Sequence, residues 1–288
     1  MNKSSLNHLH CPDGHLSLQI RDMRPSPTLA INEVCDKLRR EGRQVFNLGL
    51  GESPFPVPLS VVEVLRANAS QKSYLPVKGL YELRGAVADY HCRNHGLGCD
   101  PEDVLIGPGS KQLMFLLQIV YDGDLVIPTP AWVSYAPQAQ IVGRKVYFLP
   151  TQRAQGWRLN PAQLEALCRD DPNRPRIVIL NYPSNPTGGT YSTDELGSLA
   201  AVAQRFRVVL LSDEIYGELH HHGQHVSVAR FYPEGTILSS GLSKWCGAGG
   251  WRLGTFTFPK NLHWLLEAMS AVASETYTST SAPIQYAA

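Results

Sequence analysis

The sequence predicts an α/β protein, a three-layer α/β/α fold built on a mostly parallel sheet. Two observations support this prediction. Short apolar and β-branched runs alternate with helical patterns through the middle of the chain, which is typical of a parallel sheet covered by helices on both faces. In addition, capping residues mark two helix starts between those runs: Asn160 followed by Pro161, and Ser192 with Glu195 three residues later.

The predicted elements follow a regular order. A first helix, after the Pro25–Pro27 break, ends at Gly42, and a second ends near Gly96, which suits a left-handed cap. The predicted strands are Val104–Ile106, Leu125–Ile127, Ile177–Leu180, Val208–Leu211, Thr236–Ser239 and Thr255–Phe258. The helices between them are Gln112–Val120, Val133–Val142 and Glu195–Phe206.

Composition narrows the class of partner. The 288 residues carry a formal charge of +1, so no overall field attracts nucleic acid or an anionic membrane. No apolar run resembles a signal peptide or is long enough to cross a bilayer. The six cysteines form no CxxC pair, which fits reduced thiols in a cytoplasm. We therefore expect a cytoplasmic protein that recognises a small ligand locally.

Ligands of such sheets bind beyond the carboxyl ends of the strands, where this chain carries unusual residues. The first predicted strand runs into Gly109, Ser110 and Lys111, a small-residue turn entering a helix. Free N–H groups and the helix dipole suit a phosphate there, although such turns are often only tight connections. Trp132 follows another strand end, where its ring could lie against a flat ligand or belong to the core.

Two later strand ends carry polar groups. Asn185 lies in a loop that two prolines and two glycines make rigid, which by itself also fits an Asx turn. Asp213 ends a buried strand, where an isolated charge is costly and needs a cationic partner. By itself the residue also fits a structural ion pair or a cap for the next helix. Tyr216 could direct its hydroxyl the same way.

The densest pattern is the stretch from Gly241 to Gly254, in which Lys244 and Arg252 stand among small residues. Small neighbours allow a bulky ligand to approach both cations. A lysine surrounded by apolar groups and near a second cation can have a lowered pKa, which favours the free amine that imine formation requires.

Together these motifs resemble the class I/II aminotransferases of the pyridoxal-phosphate (PLP) dependent aspartate aminotransferase superfamily, of fold type I. The resemblance extends from about Pro25 to the end of the chain, and it matches the PLP-attachment signature between Gly241 and Gly254. It implies the large domain of that fold and PLP as cofactor. Asn185, Asp213, Tyr216, Lys244 and Arg252 also occur in the family order.

The resemblance implies a role for each residue. Lys244 binds PLP covalently and then moves the proton at the substrate α-carbon, and Asp213 pairs with the ring nitrogen. Tyr216 and Asn185 hydrogen-bond the phenolic oxygen of the ring, and Trp132 stacks on its face. The phosphate-binding residues implied are Arg252, Ser243, Gly109, Ser110 and Lys111.

Further implications concern the substrate and the assembly. Gly51 and Asn185 contribute to substrate binding, and Tyr74 reaches the phosphate in a neighbouring subunit, which implies a homodimer. Where many relatives have a phosphate-binding serine this chain has Gly241, for which Ser240 or Ser243 would compensate.

The resemblance also predicts two domains. We expect residues 1–48 to form an N-terminal arm and helix, part of a small domain, and residues 49–288 to form the PLP-binding large domain. Relatives continue beyond the position of Ala288 into a C-terminal small domain that carries the arginine gripping the substrate carboxylate.

The leading functional hypothesis is amino-group transfer from an amino acid to a 2-oxo acid by a ping-pong mechanism. Two alternatives remain open: a PLP-dependent carbon–sulfur lyase on the same fold, and a non-catalytic PLP-binding module. The histidine run from His220 to His225 suggests a metal site, but it fits no ligand-spacing motif and lies at a predicted exposed turn, so we expect no metal.

Overall fold

The computed structural model describes residues 16–21, 23, 25–49, 51–220 and 223–288. Its centre is a seven-stranded sheet. The strands are β1 Val104–Gly107, β2 Asp124–Thr129, β3 Val146–Pro150, β4 Arg176–Asn181, β5 Val209–Asp213, β6 Thr236–Gly241 and β7 Gly254–Thr257. The helices are α1 Pro27–Arg40, α2 Leu59–Asn68, α3 Tyr81–His95, α4 Ser110–Val120, α5 Tyr135–Ile141, α6 Pro161–Asp170, α7 Thr193–Arg205, α8 His263–Thr276 and α9 Ala282–Ala287.

The sheet has the order β1-β7-β6-β5-β4-β2-β3. The five strands from β6 to β3 are parallel, whereas β7 is antiparallel to both of its neighbours, β1 and β6. Because β7 runs the opposite way, the residues before it lie at the same edge as the residues after β1 and β6. The sheet therefore collects several loops at one edge.

Both faces of the sheet are covered, as the predicted three-layer class requires. In β4, Ile177 and Ile179 belong to the apolar core shared with α4, α5 and α8. Val178 and Leu180 point the opposite way, into a second core built with α6 and α7. The period of two along a strand thus divides one apolar run between two cores.

The six predicted strands are confirmed, with one addition. Strand β3 was not predicted, because it lies at an edge of the sheet, where half-exposed side chains such as Phe148, 55% exposed, weaken the apolar pattern. The two capped helix starts are also present: Ser192 and Asn160 each form a capping box with the side chain three residues later. Gly96 ends α3 with φ 68°, in the left-handed region.

Other sequence-based expectations have mixed outcomes. Cys35, Cys92, Cys99, Cys168 and Cys246 are free thiols, whereas Cys11 lies outside the described residues. Among the described residues, the helices are all too short or too polar to span a bilayer. The proposed division into residues 1–48 and 49–288 stays a prediction.

The capping box of α7 allows a test of local stability. We expect Ser192→Ala to lower the free energy of unfolding by about 1 kcal/mol, because the Glu195 amide loses its acceptor. Urea denaturation measures the change. Ser198→Ala, on the exposed face of the same helix, is the control and should change stability far less. Equal effects of the two substitutions would contradict a capping role.

Candidate active site

A cavity of about 1030 Å³ opens at the edge of the sheet where β1, β4, β5 and β6 end. It brings together residues that are far apart in the sequence, and nearly all of the predicted site residues line it. They are Gly51, Ser110, Lys111, Trp132, Asn185, Asp213, Tyr216, Ser243, Lys244 and Arg252. The structure thus places the predicted residues in one site, while their individual functions remain predictions.

Asp213 is buried at the end of β5, with 4% of its surface exposed. Its Oδ2 accepts a hydrogen bond of 2.5 Å from the Tyr135 hydroxyl. Its Oδ1 has no hydrogen-bond partner of normal geometry within the described part of the chain. Burial raises the pKa of Asp213 to about 6, although the hydrogen bond from Tyr135 and weaker contacts with the Ile215 backbone N–H and the Ser239 hydroxyl act in the opposite direction.

Tyr135 is a site residue that the sequence analysis did not identify. It begins α5, is fully buried, and presents its hydroxyl to the carboxylate of Asp213. Burial and the negative charge of Asp213 raise the pKa of this phenol, so it stays protonated and acts as a donor. Its place in the segment that follows β2, three residues beyond Trp132, is the sequence signal for it.

Lys244 extends into the cavity from the loop between β6 and β7. Its Nζ donates to the Gly51 carbonyl at 2.6 Å and lies 5.4 Å from the ring centre of Tyr216. Burial lowers the pKa of Lys244, while the carboxylates of Glu52 and Asp213 oppose that shift. The predicted second cation is therefore not what lowers the pKa, because the charged groups that act on this amine are acidic.

Asn185 and Tyr216 meet on the floor of the cavity. The Asn185 side-chain amide donates to the Tyr216 hydroxyl at 3.4 Å, and Asn181 fixes the loop by accepting from the Asn185 backbone N–H at 2.7 Å. Trp132 lies above α5 with its ring edge-on to Tyr135, 5.2 Å between ring centres. The cavity lining thus combines the polar groups of Asn185 and Tyr216 with the aromatic ring of Trp132.

Two cations converge near the start of α4. Lys111 places its Nζ 4.9 Å from the ring centre of Trp132, and its pKa is lowered by burial and by the charge of Arg252. Neither cation has a carboxylate partner among the described residues. Arg252 instead donates to the Gly249 carbonyl at 2.7 Å. This arrangement favours an anion, since each cation otherwise raises the electrostatic energy of the other.

Gly109 permits the approach of Arg252 to the helix start. The residue has φ 89°, and a Cβ atom there would lie 2.1 Å from a guanidinium nitrogen of Arg252. The N–H groups of Ser110 and Lys111 are in the first turn of α4, where no preceding helical carbonyl can accept from them. The turn therefore offers backbone donors beside two side-chain cations.

The departure at Gly241 has a steric explanation. A Cβ atom at this position would lie 2.6 Å from the Leu253 carbonyl oxygen, so the pairing of β6 with β7 leaves no room for a serine. Of the two serines proposed to compensate, Ser243 lines the cavity and Ser240 does not. Tyr74 also lies outside the cavity lining and is 87% exposed.

The run from His220 to His225 differs in part from the predicted exposed turn. His221 and His222 lie outside the described residues. The prediction of an exposed turn is wrong for His225, whose side chain is 8% exposed because it donates to the buried carboxylate of Glu214. Among the described residues, no group of three or more metal-ligating side chains is arranged to hold an ion.

Comparison with known proteins defines the class. The profile of the family described as aminotransferase class I and II matches residues 43–288. The chain is 34% identical to the aspartate aminotransferase of Geobacillus stearothermophilus over 95% of its own length and 70% of that protein. It is 35% identical to the aspartate/prephenate aminotransferase of Thermus thermophilus over 94% of its length and 70% of that protein.

Solved structures agree with the sequence comparison. The aspartate aminotransferase from Thermus thermophilus with maleate superposes with a TM-score of 0.88 at 35% identity, covering 94% of this chain and 71% of that one. A mostly parallel sheet with a lysine, a buried aspartate and two cations at one edge defines an α/β protein with a polar ligand site. The chain belongs to the aminotransferase class I and II family.

The family assignment confirms the leading functional hypothesis. The chain is an amino-acid aminotransferase, and none of the relatives described above is named as a lyase or a regulator. The family implies PLP as cofactor. The residues present fit that group: the free Oδ1 of Asp213 suits a protonated ring nitrogen, and the cations beside Gly109 suit a phosphate.

The buried carboxyl group of Asp213 should lower the stability of the cofactor-free protein at alkaline pH, and this can be tested. Because burial raises its pKa from 3.8 to about 6, the folded protein binds the proton more tightly than the unfolded chain, so stability falls as the pH rises through that interval. Above pH 7, without cofactor, we expect Asp213→Asn to be more stable than the unsubstituted protein, by up to about 3 kcal/mol. The difference should vanish below the lower pKa.

Urea denaturation at acidic and alkaline pH measures this effect. The control is Asp124→Asn, since Asp124 is equally buried but forms a salt bridge of 2.7 Å with Arg174. That substitution should destabilise the protein at alkaline pH. A loss of stability in Asp213→Asn at alkaline pH would show that Asp213 is a structural residue instead.

Proposed function

We propose that the cavity binds PLP through Lys244 and transfers an amino group from an amino acid to a 2-oxo acid in two half-reactions. The observation that carries this proposal is the pairing of an amine of lowered pKa with a buried carboxylate that has one free oxygen. The lowered pKa favours the free, nucleophilic amine, and the carboxylate offers a site for a positively charged ring nitrogen.

PLP, when bound, supplies a carbonyl carbon open to attack by primary amines and a ring that accepts electrons from the substrate α-carbon. Lys244 provides the amine that holds the cofactor, and when free it moves the proton at the α-carbon. Gly51 supports this function, because its carbonyl accepts from the Lys244 amine and so fixes its direction. Asp213 keeps the ring nitrogen protonated, and Tyr135 keeps the carboxylate of Asp213 oriented.

The remaining residues bind and orient. Tyr216 and Asn185 present hydrogen-bonding groups on the same side of the cavity, which supports their assignment to the phenolic oxygen of the ring. Trp132 offers an aromatic face. Arg252 and Ser243, together with the turn of Gly109, Ser110 and Lys111, form the phosphate site. Gly51 and Asn185 face the space left for the substrate.

Aspartate is the donor that we propose to examine first, because the relatives named above include aspartate and aspartate/prephenate aminotransferases. An amino-acid donor presents an α-carboxylate as well as an amine. A zwitterion loses hydration when it enters the cavity. The cationic and hydrogen-bonding groups there replace the water contacts that it loses.

An absorption spectrum of the protein with PLP tests the proposal. We expect a visible imine band that remains after unbound PLP is removed and that Lys244→Ala abolishes, because that imine requires the Lys244 amine. Addition of aspartate should bleach the band, and a 2-oxo acid should restore it without release of ammonia. Lys37→Ala, an exposed lysine on α1, is the matched control and should leave the spectrum unchanged.

Other outcomes of this experiment have distinct meanings. If no band forms, or if the band persists in Lys244→Ala, the assignment of Lys244 is wrong. If instead the band persists while ammonia is released continuously without a 2-oxo acid, elimination replaces transfer as the reaction.

We also propose a homodimer in which Tyr74 acts on the phosphate site of the partner. Its support is the 87% exposure of the Tyr74 side chain, which directs a hydrogen-bonding group away from its own cavity. The free thiols further support a reducing compartment, and we propose the cytoplasm.

Mixed dimers test whether Tyr74 acts across an interface. A dimer of one Lys244→Ala chain and one Tyr74→Phe chain contains one site with both native side chains only if Tyr74 acts on the partner. We therefore expect half of the sites to bind PLP with unsubstituted affinity, measured by titration of the visible band. Tyr81→Phe serves as the exposed-tyrosine control. Weakened binding at the site of the mixed dimer that keeps Lys244 would place Tyr74 in its own site, and full affinity in a homodimer of Tyr74→Phe chains would place it outside any site.

A further inference from the structure

Glu214 directly follows Asp213 in the sequence, but only Asp213 lines the cavity. The residue is 7% exposed. Its Oε1 accepts hydrogen bonds from the hydroxyls of Ser212 at 2.7 Å, Ser227 at 2.6 Å and Tyr182 at 3.3 Å. Its Oε2 accepts from His225 Nε2 at 2.7 Å. The carboxylate thus has four donors, whereas one oxygen of Asp213 has none.

The surroundings keep Glu214 charged in the interior. Burial alone would raise its pKa, but the hydrogen bond and charge of His225, the charge of His95 and the hydrogen bond from Ser227 lower the pKa to about 2. The Nε2 atom of His95, at the end of α3, is 3.8 Å from Oε2. Such a satisfied charge fixes the groups around it, because each donor loses its acceptor if the carboxylate moves.

The hydrogen bonds of Glu214 join separate segments of the chain. Ser212 has a single hydroxyl proton, and its shorter distance to Glu214, 2.7 Å against 3.2 Å to Tyr182, assigns that proton to the carboxylate. The Tyr182 oxygen accepts from the Val228 amide at 2.7 Å and gives its own proton to Glu214. Tyr182 begins the loop that carries Asn185.

The pairing of β4 with β5 extends to Asn181 and Asp213, and beyond that pair few hydrogen bonds join the loop to the turn of residues 213–216 on the cavity side. Asn181 donates to the Asp213 carbonyl at 3.0 Å, and the hydrogen bond between Asn185 and Tyr216 is 3.4 Å long. A contact of that length contributes little to rigidity. Behind them lies the Glu214 cluster, defined as Glu214, Tyr182, Ser212, Ser227 and His225. Its short links are the bond from the Ser227 hydroxyl to Glu214 at 2.6 Å and the bond from the adjacent Val228 amide to Tyr182 at 2.7 Å.

We propose that Glu214 is a positioning residue, which through Tyr182 holds the loop of Asn185 in a fixed relation to the turn that carries Asp213 and Tyr216. The inference rests on the proposed function, in which these three residues contact the cofactor. Glu214 touches neither the cavity nor any reacting atom, so it acts only through its neighbours.

Hydrogen exchange of the cofactor-free protein tests the connection directly. Glu214→Gln preserves the shape and one acceptor oxygen but removes the charge. Tyr182→Phe removes one hydroxyl and keeps the other three donors, which provides a second variant if the first folds poorly. In both we expect the amides of Asn185, Gly188 and Gly217 to exchange about tenfold faster or more. The matched control is Glu218→Gln, an exposed carboxylate that bonds Tyr90.

A cofactor readout separates positioning from general stability. Below the melting transition, we expect both variants to bind PLP about tenfold more weakly and to shift the pH midpoint of the visible band, with Glu218→Gln unchanged. Unaltered exchange at Asn185 and Gly188 in both variants would overturn the proposal. Faster exchange with an unaltered band would overturn it as well, since Glu214 would then be structural only. If the unsubstituted protein forms no Lys244-dependent band, the proposed function fails, while exchange still decides whether Glu214 joins the two segments.

Discussion

The architecture of the site depends on placing a carboxyl group inside the protein at the end of a central strand. β5 lies between β4 and β6, so Asp213 is withdrawn from water, and burial penalises its charged form. The next residue is an equally buried acid whose pKa is shifted the other way, to about 2 rather than about 6. The chain surrounds Glu214 with donors and leaves Asp213 partly unsatisfied. Two neighbouring carboxylates thereby acquire different chemistry from their surroundings alone.

The proposed phosphate end of the site is formed by close backbone packing as well as by side chains. A Cβ atom at Gly254 would lie 2.1 Å from the Ser110 backbone nitrogen, so the start of β7 lies directly against the start of α4. Arg252 has φ 57°, a left-handed conformation that strains a residue with a side chain. Its guanidinium reaches Gly109, where only a glycine leaves space. Strain and close approach at one point are consistent with a site that pre-orients its charges.

Sequence reasoning predicted the features that local patterns encode. Apolar runs revealed the buried strands, and the rule that ligands bind beyond strand ends selected Asn185, Asp213 and Lys244 before their spatial proximity was known. The reversed direction of β7 was not predictable, because period-two patterning carries no information on strand direction. Tyr135 was missed, and the burial of His225 was not predicted, for a related reason. Each matters through one hydrogen bond to a residue 78 or 11 positions away, and such pairings arise only when the chain folds.

The antiparallel pairing of β6 with β7 has a kinetic consequence for Lys244. The connection that carries this residue is closed at its base by the pairing of Gly241 with Gly254, so both of its ends are anchored in the sheet. Anchoring both ends in the sheet restricts the volume that the amine can explore. Any electrophile in the cavity meets this amine at an effective concentration set by the tether and not by the solution. A soluble amine competes with the Lys244 amine for such an electrophile only if it binds more tightly or is in large excess. The tether therefore sets the concentration or affinity that a competing amine must reach.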